Sequence, residues 1–103
     1  MDKGTVVERV KQYAALVALE IPATQVILFG SNVTGMANEN NDIDVAVVMK
    51  DICEDYLTLI TRLYTLSTPI DPMIEPHLLA ENGNNGGFLQ EVQRTGEVIY
   101  RAV

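Results

Sequence analysis

The sequence predicts an α/β fold: a small mixed β-sheet flanked by helices. Three observations carry this. Two short runs rich in Val and Ile, at residues 25–29 and 43–49, have the length of strands and are bounded by glycine or polar turns. Segments with apolar residues at helical spacing alternate with them. The 103 residues, 48% hydrophobic and 20% charged, suffice for one core, and without repeat or linker residues 1–103 read as a single domain.

Each element has its own signal. Residues 5–19 place Val6, Val10, Tyr13, Ala14 and Val17 at helical spacing, and Pro22 closes that helix. Residues 25–29 form a buried strand ending at Gly30. Residues 31–36 make a short helical turn, followed by an Asn-rich loop over residues 37–41. IDVAVVM, residues 43–49, is apolar at nearly every position, as in a central strand covered on both faces. Asp51, with Glu54 three residues on, has capping-box spacing for a helix that runs to Leu66 and buries Tyr56, Leu59, Ile60 and Leu63. Ser67-Thr68-Pro69 ends it. A third strand is expected over residues 70–75, at a sheet edge because Pro72 lacks a backbone donor. After a loop over residues 81–87, FLQEVQRT reads as a last helix stopped by Gly96, and EVIYR as a final short strand.

Composition excludes several functions. The net charge is −7, and seven Lys and Arg are scattered from Lys3 to Arg101. Gripping nucleic acid by its phosphates needs such residues concentrated on one face, so direct nucleic-acid binding is not expected. The acidic balance suits a metal or a basic protein partner. No apolar run approaches the ~20 residues of a membrane helix. The N-terminal stretch lacks the apolar block of a signal peptide, and Cys53 has no partner for an internal disulfide. A cytoplasmic protein is expected.

The chemistry is concentrated in LFGSNVTGMANENNDIDVAVV, residues 28–48. Successive strand residues face opposite ways, so Asp42 and Asp44 share one face. Two carboxylates so placed repel each other unless a cation lies between them, and Mg²⁺ takes hard oxygen ligands of this kind. Gly30-Ser31 ends the preceding strand and opens a helical turn. A glycine there lets backbone N–H groups approach a phosphate, and the serine hydroxyl adds a donor. If Gly30-Ser31 and Asp42 share a ligand, the first two strands are antiparallel. If Asp71 joins them, the second and third strands are parallel, and the intervening helix is the crossover such a pair requires.

Gly30-Ser31, then Asp42-Ile43-Asp44, then Ile70-Asp71, resembles the signature of the nucleotidyltransferase superfamily that includes DNA polymerase beta. The chain's size and its tail FLQEVQRTGEVIY resemble the minimal nucleotidyltransferases (MNT proteins) of prokaryotes. The resemblance implies a polymerase-beta-like nucleotidyltransferase fold and transfer of a nucleoside monophosphate, AMP from ATP, to a hydroxyl. It implies that Gly30 and Ser31 bind the nucleoside triphosphate. Asp42, Asp44 and Asp71 become catalytic metal ligands, holding two Mg²⁺ ions when nucleotide is bound. MNT proteins are often paired with HEPN-domain toxins, as antitoxins that attach AMP to a toxin tyrosine. That setting implies a HEPN partner and is compatible with a homo- or hetero-oligomer.

The sequence departs from the family pattern at Thr34, where many MNT proteins carry an arginine before the second glycine. Threonine cannot pair with a phosphate as arginine does. The alternative reading is therefore a weak or inactive MNT-fold module that neutralises or scaffolds its partner without chemistry. Glu75 reads as a solvated strand-end residue, and His77 as a structural or exposed loop residue.

Overall fold

The computed structural model describes residues 2–34 and 42–102, apart from the side chains of Asn32 and Thr34. The elements run α1 (Lys3–Glu20), β1 (Ala23–Phe29), α2 (Ser31–Thr34), β2 (Ile43–Met49), α3 (Tyr56–Ser67), β3 (Ile74–Ala80), α4 (Phe88–Thr95) and β4 (Glu97–Arg101). Residues 35 and 36 of the expected helical turn, and the loop expected over residues 37–41, lie outside the described residues. Among the described residues no helix is long and apolar enough to cross a membrane.

The four strands form one mixed sheet in the order β3-β2-β1-β4. β1 pairs antiparallel with β2 and with β4, and β2 pairs parallel with β3. These are the directions expected from a site shared by the ends of β1, β2 and β3. α3 is the crossover between the parallel pair.

Strand parity divides the core in two. Val26, Leu28, Ile43, Val45, Val47, Ile74 and Leu78 pack with Val6, Val10, Tyr13, Ala14 and Val17 of α1 and with Leu59 and Leu63 of α3. Tyr13 is fully buried and donates its hydroxyl to the Leu63 carbonyl at 3.0 Å, and burial pushes that hydroxyl's pKa upward. On the opposite face Ile27, Ala46, Val48 and Leu79 pack with Leu89 and Val92 of α4, with Phe29 alongside. One face thus lies under two long helices. The other lies under a helix of eight residues that cannot cover its whole length.

Three expectations are corrected. α3 starts at Tyr56, capped by Asp55, whose side chain accepts from the Thr58 backbone N–H at 3.0 Å; Asp51 instead accepts from the Asn82 side chain. Tyr56 is exposed rather than buried, because it is the first residue of the helix. The third strand covers Ile74–Ala80, not residues 70–75. Residues 68–70 form a turn in which the Ile70 and Asp71 N–H groups both donate to the Ser67 carbonyl. The strand is at a sheet edge as expected, and the proline inside it is Pro76.

Gly96 stops α4 for a reason other than left-handed backbone. Its φ of −85° and ψ of 177° are open to any residue. A Cβ there, however, would lie 2.6 Å from Ile27 Cγ2, 2.6 Å from the Val92 carbonyl oxygen and 2.9 Å from the Leu28 carbonyl oxygen. Two of these neighbours are backbone of the central sheet and α4 and have little room to yield. Gly96→Ala is expected to cost about 2–3 kcal/mol, as overpacking a core does. Urea denaturation measures this, and an unchanged midpoint would mean that α4 shifts outward freely.

Candidate functional site

The site lies on the sheet face that α4 covers incompletely. Parity puts Asp44 there, because its strand neighbours Ala46 and Val48 belong to the α4-side core while Ile43 and Val45 belong to the other. Register then brings three strands together: Phe29 of β1 lies opposite Asp44 of β2, and Asp44 lies opposite Glu75 of β3. His77 follows two residues after Glu75 and so shares its face.

Gly30 closes β1 with φ of +79°, a conformation that glycine adopts without strain. A Cβ on Gly30 would lie 2.8 Å from Asp44 Oδ2. The missing side chain is what allows the turn and the carboxylate to meet. α2 begins at the next residue, Ser31, and the Val33 N–H donates to the Gly30 carbonyl at 3.1 Å. The turn expected beside Asp42 thus meets Asp44, the second aspartate of the pair. Asp42 is half-buried and immediately precedes β2.

Asp44, Glu75 and His77 each offer a ligand atom, and the three atoms lie within 4.8 Å of one another. His77 Nε2 is 3.2 Å from Asp44 Oδ1. Two carboxylates and an imidazole on one rigid sheet face fit a divalent cation by the chemistry of their donor atoms. The field of Glu75 extends beyond the cluster: after partial burial, its carboxylate is the next cause raising the Tyr64 hydroxyl pKa.

Asp71 is placed differently from expectation. It lies three residues before β3, buried, and it accepts from Arg9 of α1 at 2.5 Å and from the Met73 N–H at 2.9 Å. It is absent from the metal-ligating cluster among the described residues. Glu75, which reads from sequence as a solvated strand end, is the carboxylate that register sets beside Asp44. His77, which reads as a loop residue, lies inside β3 and is packed edge-to-face against Phe29 at 5.1 Å, with Phe88 of α4 at 6.4 Å. The signal that would have found both is the i, i+2 spacing of Glu75 and His77. It has meaning only once the strand boundaries are known.

Comparison with known proteins agrees with this fold. The family described as polymerase beta nucleotidyltransferase matches residues 14–102. A protein from Sulfolobus solfataricus of known crystal structure, provisionally described as a nucleotidyltransferase, superposes with a TM-score of 0.67 at 20% identity, over 96% of this chain and 83% of its own. A chain from a toxin–antitoxin structure with AMP-PNP superposes with a TM-score of 0.65 at 21% identity, over 99% of this chain and 75% of its own. At these identities the likeness to both structures is one of fold. No curated protein matches the sequence.

Proposed function

This chain belongs to the polymerase beta nucleotidyltransferase family, and we propose that it is a single-domain enzyme moving AMP from ATP to a hydroxyl of a partner protein. The observation that carries this reading is the contact of the Gly30 turn with Asp44, beside Glu75 and His77. In the reaction the acceptor oxygen bonds to the α-phosphorus, the bond to the β-phosphate oxygen breaks, the hydroxyl proton is released, and pyrophosphate leaves.

The protein's part is position and charge. Gly30, without a side chain, lets the triphosphate lie against the backbone. Ser31 donates its hydroxyl to a phosphate oxygen at the opening of α2. Asp44 and Glu75, with Asp42 at the entrance to β2, hold divalent cations, Mg²⁺ in the simplest case and two of them with nucleotide bound. Such ions, when bound, neutralise charge on the attacking and leaving oxygens. In this assignment Glu75 takes the place expected of Asp71, because Asp71 is committed to Arg9.

The acceptor we favour is a tyrosine of a HEPN-domain toxin, for which this protein would be the cytoplasmic antitoxin. The fold shared with a toxin–antitoxin chain and the net charge of −7, poor for binding nucleic acid, both support a protein acceptor. The test is transfer of label from α-phosphate-labelled ATP with Mg²⁺ to whatever co-purifies from the native host, with Asp42→Asn/Asp44→Asn as control. Label on a partner that disappears in the control supports the enzyme. A stable bound partner that never takes label supports the binding module, for which Thr34 in place of the family's arginine is the sequence argument.

Ser31→Ala is expected to weaken ATP binding by about 1–2 kcal/mol, the loss of one hydrogen bond to a charged group. Calorimetry with a non-hydrolysable ATP analogue measures it. Unchanged affinity would remove Ser31 from the triphosphate site.

A further inference from the structure

We infer that His77 is a metal ligand, so that the site prefers a first-row transition dication to magnesium. The inference rests on the reading of Asp44 and Glu75 as metal ligands and adds a nitrogen to that oxygen set.

Spacing is the first argument. His77 Nε2 and Asp44 Oδ1 are 3.2 Å apart. Adjacent ligand atoms around one ion, at bonds of about 2.1 Å, lie roughly 3.0 Å apart. The pair already has nearly the separation that a shared ion demands, and Glu75 supplies a third atom within 4.8 Å.

The second argument is that the imidazole is held in place. Phe29 packs against it at 5.1 Å with the ring planes 66° apart, and Phe88 stands at 6.4 Å and 60°. Phe29 and Phe88 also pack on each other at 5.7 Å. The three rings form one group on the α4 side of the sheet, and they fix the direction of the imidazole toward Asp44 rather than leaving it free in solvent.

The third argument is donor chemistry. Magnesium favours oxygen ligands, whereas an imidazole nitrogen favours first-row transition ions. A site meant for magnesium alone gains nothing from a nitrogen beside its carboxylate. A histidine that only orients Asp44 by a hydrogen bond is the competing role, and it leaves no nitrogen on the metal.

The experiment uses the untagged full chain and Mn²⁺ alone. Binding is followed by the loss of the free-ion electron paramagnetic resonance signal, and nitrogen ligation by pulsed resonance. The chain contains one histidine, so an imidazole nitrogen signal has a single source. We expect that signal in the wild type and its loss in His77→Gln. The preference for Mn²⁺ over Mg²⁺, measured by competition, should fall about tenfold in that variant. If Mn²⁺ binds, depends on Asp44 and shows no imidazole nitrogen, His77 is not a ligand and the Asp44–Glu75 reading stands. If the wild type does not bind Mn²⁺, both readings fail. The wild-type spectrum decides the matter even if His77→Gln folds poorly.

Discussion

Asp44→Asn should reduce nucleotide transfer by about a thousandfold or more while leaving the fold intact. Asp44 is the residue on which the site converges. Its carboxylate faces the Gly30 turn, stands opposite Glu75 and lies 3.2 Å from His77. Losing a group that fixes transition-state charge costs about 10²–10³ in rate where a single neutral donor is removed. Removing a charged ligand shared by the whole cluster should cost at least as much. Stability should change little, because asparagine has the shape of aspartate and retains a polar atom for His77. In the metal-free protein the substitution also removes one of two facing carboxylates, which favours the fold. Labelled-ATP transfer together with circular dichroism melts checks both halves. Residual transfer within tenfold of wild type, or a collapsed fold, would show that Asp44 has a different role.

Arg9→Ala should destabilise the protein by about 3 kcal/mol, the largest effect on folding that we expect from one surface-reaching side chain. The pair it breaks is asymmetric. Asp71 is almost fully buried, while the Arg9 side chain is 40% exposed. Without Arg9, the buried Asp71 carboxylate keeps, among the described residues, the Met73 N–H as its partner and loses its compensating charge. The reverse change, Asp71→Asn, should cost less, about 1–2 kcal/mol, because the half-exposed guanidinium returns to water and the amide oxygen still accepts from Met73. Urea titration of both variants tests the order as well as the size. Equal losses would mean that the pair is as solvated as a surface ion pair. The same comparison separates scaffold from chemistry, since Asp71→Asn should leave metal binding unchanged if Glu75 is the ligand.

The sequence revealed the fold through features that are local. β2 is bounded in the chain where it is in the structure, because IDVAVVM has no competing interpretation. α4 and its stop at Gly96 were legible from FLQEVQRT followed by glycine. The antiparallel pairing of β1 and β2 was legible because a glycine turn and a strand-entry carboxylate make sense together, although the aspartate that meets Gly30 is Asp44 and not Asp42. What was not legible depended on contacts between distant segments. Three prolines in PIDPMIEP, Pro69, Pro72 and Pro76, blur where the third strand begins, and a shift of four residues in its start makes Glu75 the second residue of the strand rather than its last. The family resemblance gives Asp71 a metal role, and nothing local shows that its carboxylate is held by an arginine 62 residues away. The Asp51-x-x-Glu54 spacing competed with Asp55-x-x-Thr58 for the start of α3, and the second pair won by donating both the Thr58 N–H and its hydroxyl to one carboxylate.

The two unequal faces of the sheet have a genetic consequence. In β2, Ile43, Val45 and Val47 pack under α1 and α3, while Asp44 shares the other face with Ala46 and Val48, which pack under α4. Substitutions at odd and even positions therefore meet different packing neighbours, and at Asp44 the demands of the candidate site as well. A single-codon deletion or insertion within this strand exchanges the two sets, turning the carboxylate into the packed core and a valine into the site. Such a change loses stability and activity in one step, so this lineage should tolerate replacements along β2 far more readily than changes in its length.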